Sequence, residues 1–208
     1  YYKSSDLYTL EFFSDDQISA PQIVMLFDSV AQNVYFKDKL FLVSKDQLGA
    51  KLAGVDTSRM ITVDQLFGGQ QYQPMALEKS YGYLQKVGKA EFAAHSFSRH
   101  DIILTDFLPN DLPFCQGILT TAFQTPLAHI NILSHNRKTP NCAYKKAWED
   151  KNIQKLIGKL VCYEVLPDTF YLKEVRIEIA QAFWNGKRNH PGRKLNCDLR
   201  EKELLDIQ

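Results

Sequence analysis

The spacing of apolar positions changes period several times along the chain, and each change predicts an element. After Pro21, a residue suited to a first helical turn, Ile23, Leu26, Phe27, Val30 and Val34 fall on one helical stripe. KLFLVS (39–44) is a continuous apolar run of strand length, and QLGAKLAG (47–54) reads as a short helix. MITVDQLFGG (60–69) reads as a strand followed by a turn or short helix, with Gly68 and Gly69 as the turn signal. Together these predict a small N-terminal α/β subdomain over residues 1–70.

Residues 71–175 read differently. KSYGYLQKV (79–87) alternates, DIILTDF (101–107) and CQGILTTAF (115–123) are buried-strand runs, and KLVCYEVLP (159–167) and TFYLKEV (169–175) add two more strands. Several strands and one central helix are expected here. IEIAQAFW (177–184) is amphipathic. Beyond it the chain turns charged and is broken by Gly186, Pro191 and Gly192, so 176–208 reads as a helix and linker. The basic cluster Lys187, Arg188, Arg193 and Lys194 in that linker reads as a solvated connector.

The central helix carries the most distinctive chemistry. Gly117 to Thr121 is strand-like, Gln124 to Pro126 interrupts it, and Ile130, Leu133, Asn136 and Arg137 fall at helical spacing from His129. His129 therefore sits in a first helical turn. The amides of such a turn lack intrahelical partners and carry the positive end of the helix dipole, so an anion beside the imidazole is stabilised there. Phosphate suits that place, and neutral imidazole is nucleophilic at nitrogen, which permits a phosphohistidine intermediate. Taken alone, the residue reads more readily as a surface histidine capping a helix start.

The flanking order selects between these readings. DIILTDFLPNDLPFCQGILTTAFQTPLAHINILSHNRKTPN, from Asp101, resembles the phosphohistidine domain shared by phosphoenolpyruvate synthase, pyruvate phosphate dikinase and the glucan water dikinases. The Gly117-Ile118-Leu119-Thr120 strand, the Leu127-Ala128-His129 turn and Pro140 keep the family order. The resemblance implies a swivelling β/β/α fold over 71–175 and a phosphorylatable His129. Thr120, Thr121 and Thr125 are candidate ligands of the phosphoryl group, although threonine is equally at home in strands and helix starts.

The likeness has departures. Gln124-Thr125-Pro126-Leu127-Ala128 stands where the synthases and dikinases have two glycines and a Thr-Ser or Thr-Cys pair, so the glycine cradle is not reproduced. The spacing is closer to the glucan dikinase loop. His135 occupies a helix position where the family has arginine, and Arg137 is the candidate that partly replaces that charge. His135 reads first as a solvated or interface histidine and second, with Arg137, as a ligand of the phosphoryl group. The resemblance implies a phosphoryl carrier that relays phosphate from ATP and does not turn over alone. ATP and Mg belong to the full-length protein, on an ATP-grasp domain of the same polypeptide, with a phosphoenolpyruvate- or pyruvate-binding domain as a further partner. The alternative is a non-catalytic regulatory or docking module that keeps the fold.

Other chemistry finds little support. His95, His100 and His190 lack metal-ligand spacing, and Cys115, Cys142, Cys162 and Cys197 form no CxxC pair, so no metal site and no cofactor within this chain are expected. Scattered cysteines in apolar runs fit free thiols in a reducing, cytoplasmic setting. The chain carries neither a Walker-type loop nor GxGxxG. Its 208 residues carry 25 basic and 24 acidic side chains, a balance that argues against nucleic acid as a partner, and no apolar run reaches the length needed to span a membrane. Lys155 and Lys159 read as a solvated face and Trp148 as a core plug. The opening YYKSSDLYTLEFF is no signal segment and lacks methionine, so the chain reads as part of a longer polypeptide.

Overall fold

The computed structural model describes residues 1–2, 5–12, 18–44 and 56–188. The helix expected over 47–54, the linker beyond residue 188, His190, Arg193, Lys194 and Cys197 lie outside them, as do the side chains of Lys187 and Arg188.

The first unit is a three-stranded parallel sheet, β1 (Tyr8–Leu10), β2 (Leu40–Ser44) and β3 (Met60–Thr62), in the order β1-β2-β3. Helix α1 (Ala20–Gln32) connects the first two strands. Its start is fixed by Pro21 and by Ser19, whose amide and hydroxyl both donate to Gln22 Oε1 at 2.9 and 2.8 Å. Ile23, Phe27 and Ala31, each four residues apart, are buried against Leu40 and Leu42, with Val30 and Val34 at the margin. Leu26 departs from the expected stripe and is 40% exposed, because one residue's step of about 100° turns it away from Phe27. After β3 a single helical turn, α2 (Val63–Leu66), is capped reciprocally. Gln65 N–H donates to Thr62 Oγ1 at 3.1 Å, and Thr62 N–H donates to Gln65 Oε1 at 2.8 Å.

The second sheet has seven strands, in the order β10-β9-β5-β6-β7-β8-β4. The strands are β4 (Tyr72–Ala76), β5 (Lys79–Lys86), β6 (Asp101–Thr105), β7 (Gly117–Thr120), β8 (Asn141–Tyr144), β9 (Leu160–Val165) and β10 (Phe170–Glu174). From β5 to β8 neighbouring strands are parallel; β4, β9 and β10 each pair antiparallel. Interior parallel strands are covered on both faces, which is why every residue of β6 and β7 is buried and why their sequences are unbroken apolar runs. Crossovers carry α3 (Lys89–Phe92) before β6, α4 (His129–Arg137) before β8 and α5 (Lys151–Gln154) before β9. Helix α6 (Ile177–Arg188) lies against β5, where Trp184 Nε1 donates to the Tyr81 carbonyl at 2.9 Å. The protein is thus of mixed α/β class. Among the described residues no helix is long and apolar enough to cross a membrane.

Three strands were not legible in the sequence. β1 is only three residues long and carries no run of its own. β4 contains Pro74, tolerated because the strand is an edge and its register slips between Pro74 and Ala76. β8 is four residues long and follows Pro140 directly.

The main core gathers Leu84, Ile102, Leu104, Leu119, Cys142, Val161 and Tyr163. Tyr163 is fully buried and its hydroxyl donates to the Ile118 carbonyl at 3.0 Å, with Cys142 Sγ 3.1 Å away. Gly117 is required beside it, since a Cβ there would lie 2.6 Å from Tyr163 Cδ1. Cys115, Cys142 and Cys162 are free thiols. Trp148 packs at the edge of this core, with the Lys86 ammonium 4.1 Å above its ring. Lys159 pairs with Glu174 at 2.7 Å on the surface, and Lys155 ends α5.

Replacing Gly117→Ala will overpack the Tyr163 contact and lower stability by about 1–3 kcal/mol, read as a reduced urea midpoint. Burial pushes the Cys142 thiol from 9.0 up to about 12 and raises the Tyr163 phenol well above its usual range. Both groups hold their protons more tightly folded than unfolded. Their contribution is therefore complete below pH 9 and is lost as pH climbs toward 12, so urea midpoints will fall across that window.

Candidate functional site

The chain that leaves β7 is held to the sheet by a buried polar lattice. Thr121 N–H donates to the Thr105 carbonyl at 3.1 Å, which continues the β6–β7 pairing by one step. Thr120 Oγ1 donates to the Ala122 carbonyl at 2.7 Å and turns the chain off the C-terminal edge of the parallel strands. Phe123, Gln124 and Thr125 then run through the interior.

Gln124 has no exposed surface and is bonded on every side. Its backbone N–H donates to Gln73 Oε1 at 2.8 Å, and Gln73 Nε2 donates to its carbonyl at 2.7 Å. Its side chain faces Asn141 in a reciprocal amide pair. Gln124 Nε2 donates to Asn141 Oδ1 at 2.7 Å, and Asn141 Nδ2 donates to Gln124 Oε1 at 2.9 Å. Gln124 Nε2 also lies 3.3 Å from Thr120 Oγ1. One loop residue is thereby tied to β4, β7 and β8. Isolated in the interior, each of these amides would cost about 1–3 kcal/mol per unpaired group, so the lattice admits few alternative registers.

The turn that follows delivers the histidine. Ala128 N–H donates to the Thr125 carbonyl at 3.0 Å, and Asn131 Nδ2 reaches back to the Pro126 carbonyl at 2.9 Å. The amides of Asn131 and Ile132 both bond the Ala128 carbonyl, which starts α4. Among the described residues the amides of His129 and Ile130 then have no acceptor. His129, the first residue of this nine-residue helix, is exposed, with Leu127 and Ile132 exposed beside it in sequence. Ile130 is buried with Ala128, Ile103, Leu112 and Ile118, with Leu133 packed against them, so the helix is anchored by its opposite side. An exposed imidazole, two free amides and the positive end of a helix dipole can together receive an anionic group.

The other residues singled out from sequence do not all gather there. The hydroxyls of Thr120 and Thr125 are interior groups and not surface ligands. Thr120 is fully buried within the lattice, and Thr125 Oγ1 is sealed without a partner. Thr121 is half-buried at the edge of the sheet. Arg137 is engaged elsewhere, donating to the Leu112 carbonyl and lying 4.6 Å over the Phe114 ring. At 1.5 Å per residue its backbone is about 12 Å along the axis from His129, and exposed His135 is about 9 Å along it, so neither shares the first turn. Gln73, Asn131 and Asn141 were missed. Their signal was faint but present, since an amide side chain beside an apolar run is either at the surface or part of a paired interior group. Among the described residues no group of His, Cys, Asp and Glu could hold a metal ion.

Gln124→Leu will strand both amide groups of Asn141 and cost roughly 2–4 kcal/mol in urea unfolding, whereas Gln124→Leu combined with Asn141→Leu will recover much of that loss. A double variant no more stable than the single would show the pair to be unimportant. No family model matches the chain, and no curated protein matches it.

Proposed function

We propose that the chain is the phosphoryl-carrier domain of a phosphotransferase resembling phosphoenolpyruvate synthase and pyruvate phosphate dikinase, with residues 71–175 as a swivelling β/β/α body. The observation that carries this reading is the exposed His129 at the start of α4, beside two amides that lack acceptors. The ordered resemblance around Gly117, Thr120, His129 and Pro140 supports it independently.

In this mechanism an imidazole nitrogen of His129 attacks phosphorus in a group derived from ATP bound on a neighbouring ATP-grasp domain. A P–N bond forms and a P–O bond breaks, the departing oxygen keeping the electron pair. Magnesium on that neighbouring domain supplies charge neutralisation. This chain supplies the nucleophile, the free amides of His129 and Ile130 toward the transferred oxygens, and a loop whose burial limits its wandering. The second transfer reverses the bond changes toward an acceptor on a phosphoenolpyruvate- or pyruvate-binding domain, in the cytoplasm, where ATP is available. A docking module that keeps the fold without transfer is favoured by one observation, the commitment of Arg137 to Leu112 and Phe114.

Intact-mass analysis of the complete gene product incubated with ATP and magnesium will show one acid-labile, alkali-stable phosphate, absent in His129→Ala and retained in His135→Ala. No adduct on the natural protein, or one that persists in His129→Ala, contradicts the carrier and leaves the docking module.

A further inference from the structure

Among the described residues the N-terminal unit meets the histidine loop at Phe123. Tyr2, Val43, Leu66 and Phe67 of that unit share a buried cluster with Phe123 and Ala143 of the larger sheet. The Phe67 ring meets Phe123 edge-on, with centroids 5.4 Å apart and planes at 84°, and Tyr2 meets Phe67 in the same manner at 5.6 Å. Beside them Lys145 Nζ is 3.1 Å from Asp64 Oδ1 and 5.0 Å over the Phe123 ring. Phe123 immediately precedes Gln124.

We propose that the N-terminal unit braces the histidine loop, and that Phe67 and Asp64 are positioning residues for His129 acting through Phe123 and Lys145. The amide lattice grips Gln124 from β4, β7 and β8, and the aromatic contact grips the adjoining residue from the N-terminal unit, so the chain entering the turn is held at two successive side chains. Removing one grip leaves the loop free to open locally without unfolding the sheet beneath it. Most of the grip is apolar, because Asp64 is 84% exposed and its ion pair is screened by solvent. Its part is to hold the ammonium over the Phe123 ring. The catalytic meaning of the brace rests on the carrier reading; the bracing itself does not.

Amide hydrogen exchange, read for residues 121–128, tests it in Phe67→Ala, in the conservative Phe67→Leu, in Asp64→Asn and in Ile23→Ala. The last removes a core side chain of the same unit that belongs to a different cluster from Phe123. Phe67→Ala will speed exchange in 121–128 by about tenfold or more, Phe67→Leu and Asp64→Asn by less, and Ile23→Ala will leave that segment protected. In the complete gene product the rate of ATP-dependent labelling of His129 will fall in the same order. Unchanged exchange in Phe67→Ala, or equal loosening by Ile23→Ala, overturns the brace. If Phe67→Ala does not fold, Phe67→Leu and Asp64→Asn compared with Ile23→Ala decide the same question. A natural protein that is never labelled sinks the carrier reading, while the exchange result still decides the brace.

Discussion

Gln124 is the residue on which the site's geometry rests. It is wholly interior, and its backbone and side chain bond to groups on three different strands. Interior amides tolerate only arrangements in which each has its complement, because the low-dielectric surroundings make an unpaired group costly. The chain between Thr120 and Thr125 therefore enters the turn in one defined way. His129 is exposed, but the peptide that delivers it is anchored.

The parallel strands explain why this anchoring occurs where it does. β6 and β7 are buried on both faces, so their ends cannot shift without disturbing the main core. Tyr163 locks the same region from behind through the Ile118 carbonyl and the space left by Gly117. A segment leaving the C-terminal edge of such strands has a rigid base, and functional loops are commonly carried by bases of this kind. The N-terminal unit adds its aromatic contact at Phe123, so the small sheet and the large one meet next to the residue that organises the loop.

Much of this arrangement was readable from periodicity. The buried runs DIIL and GILT, the alternation of KSYGYLQKV and the start of α4 at His129 follow from apolar spacing, because burial on both faces, on one face or along a stripe leaves different patterns. β4 was hidden by Pro74, and β1 and β8 by their brevity. The site was legible only in its centre. The role of Gln124 depends on Gln73 and Asn141, which are distant in sequence and brought together only by sheet order. Thr120 and Thr125 looked like surface ligands because a hydroxyl beside a histidine does not reveal which way it faces. Arg137 shares the helix with His129, yet eight residues of rise carry its backbone to the other end, where the Leu112 carbonyl and the Phe114 ring take its guanidinium.

In the carrier reading His129 and the two amides at its helix start act as a single receiving site, and nuclear magnetic resonance observes both together. In the complete gene product labelled with nitrogen-15 and supplied with ATP and magnesium, a phosphorus signal characteristic of a phosphorylated imidazole is expected. It will appear together with shifts of the His129 and Ile130 amide protons, while the Gln124 resonances stay in place. A phosphorus signal that leaves those two amides unmoved, or one that couples to another histidine, contradicts a shared receiving site at the start of α4.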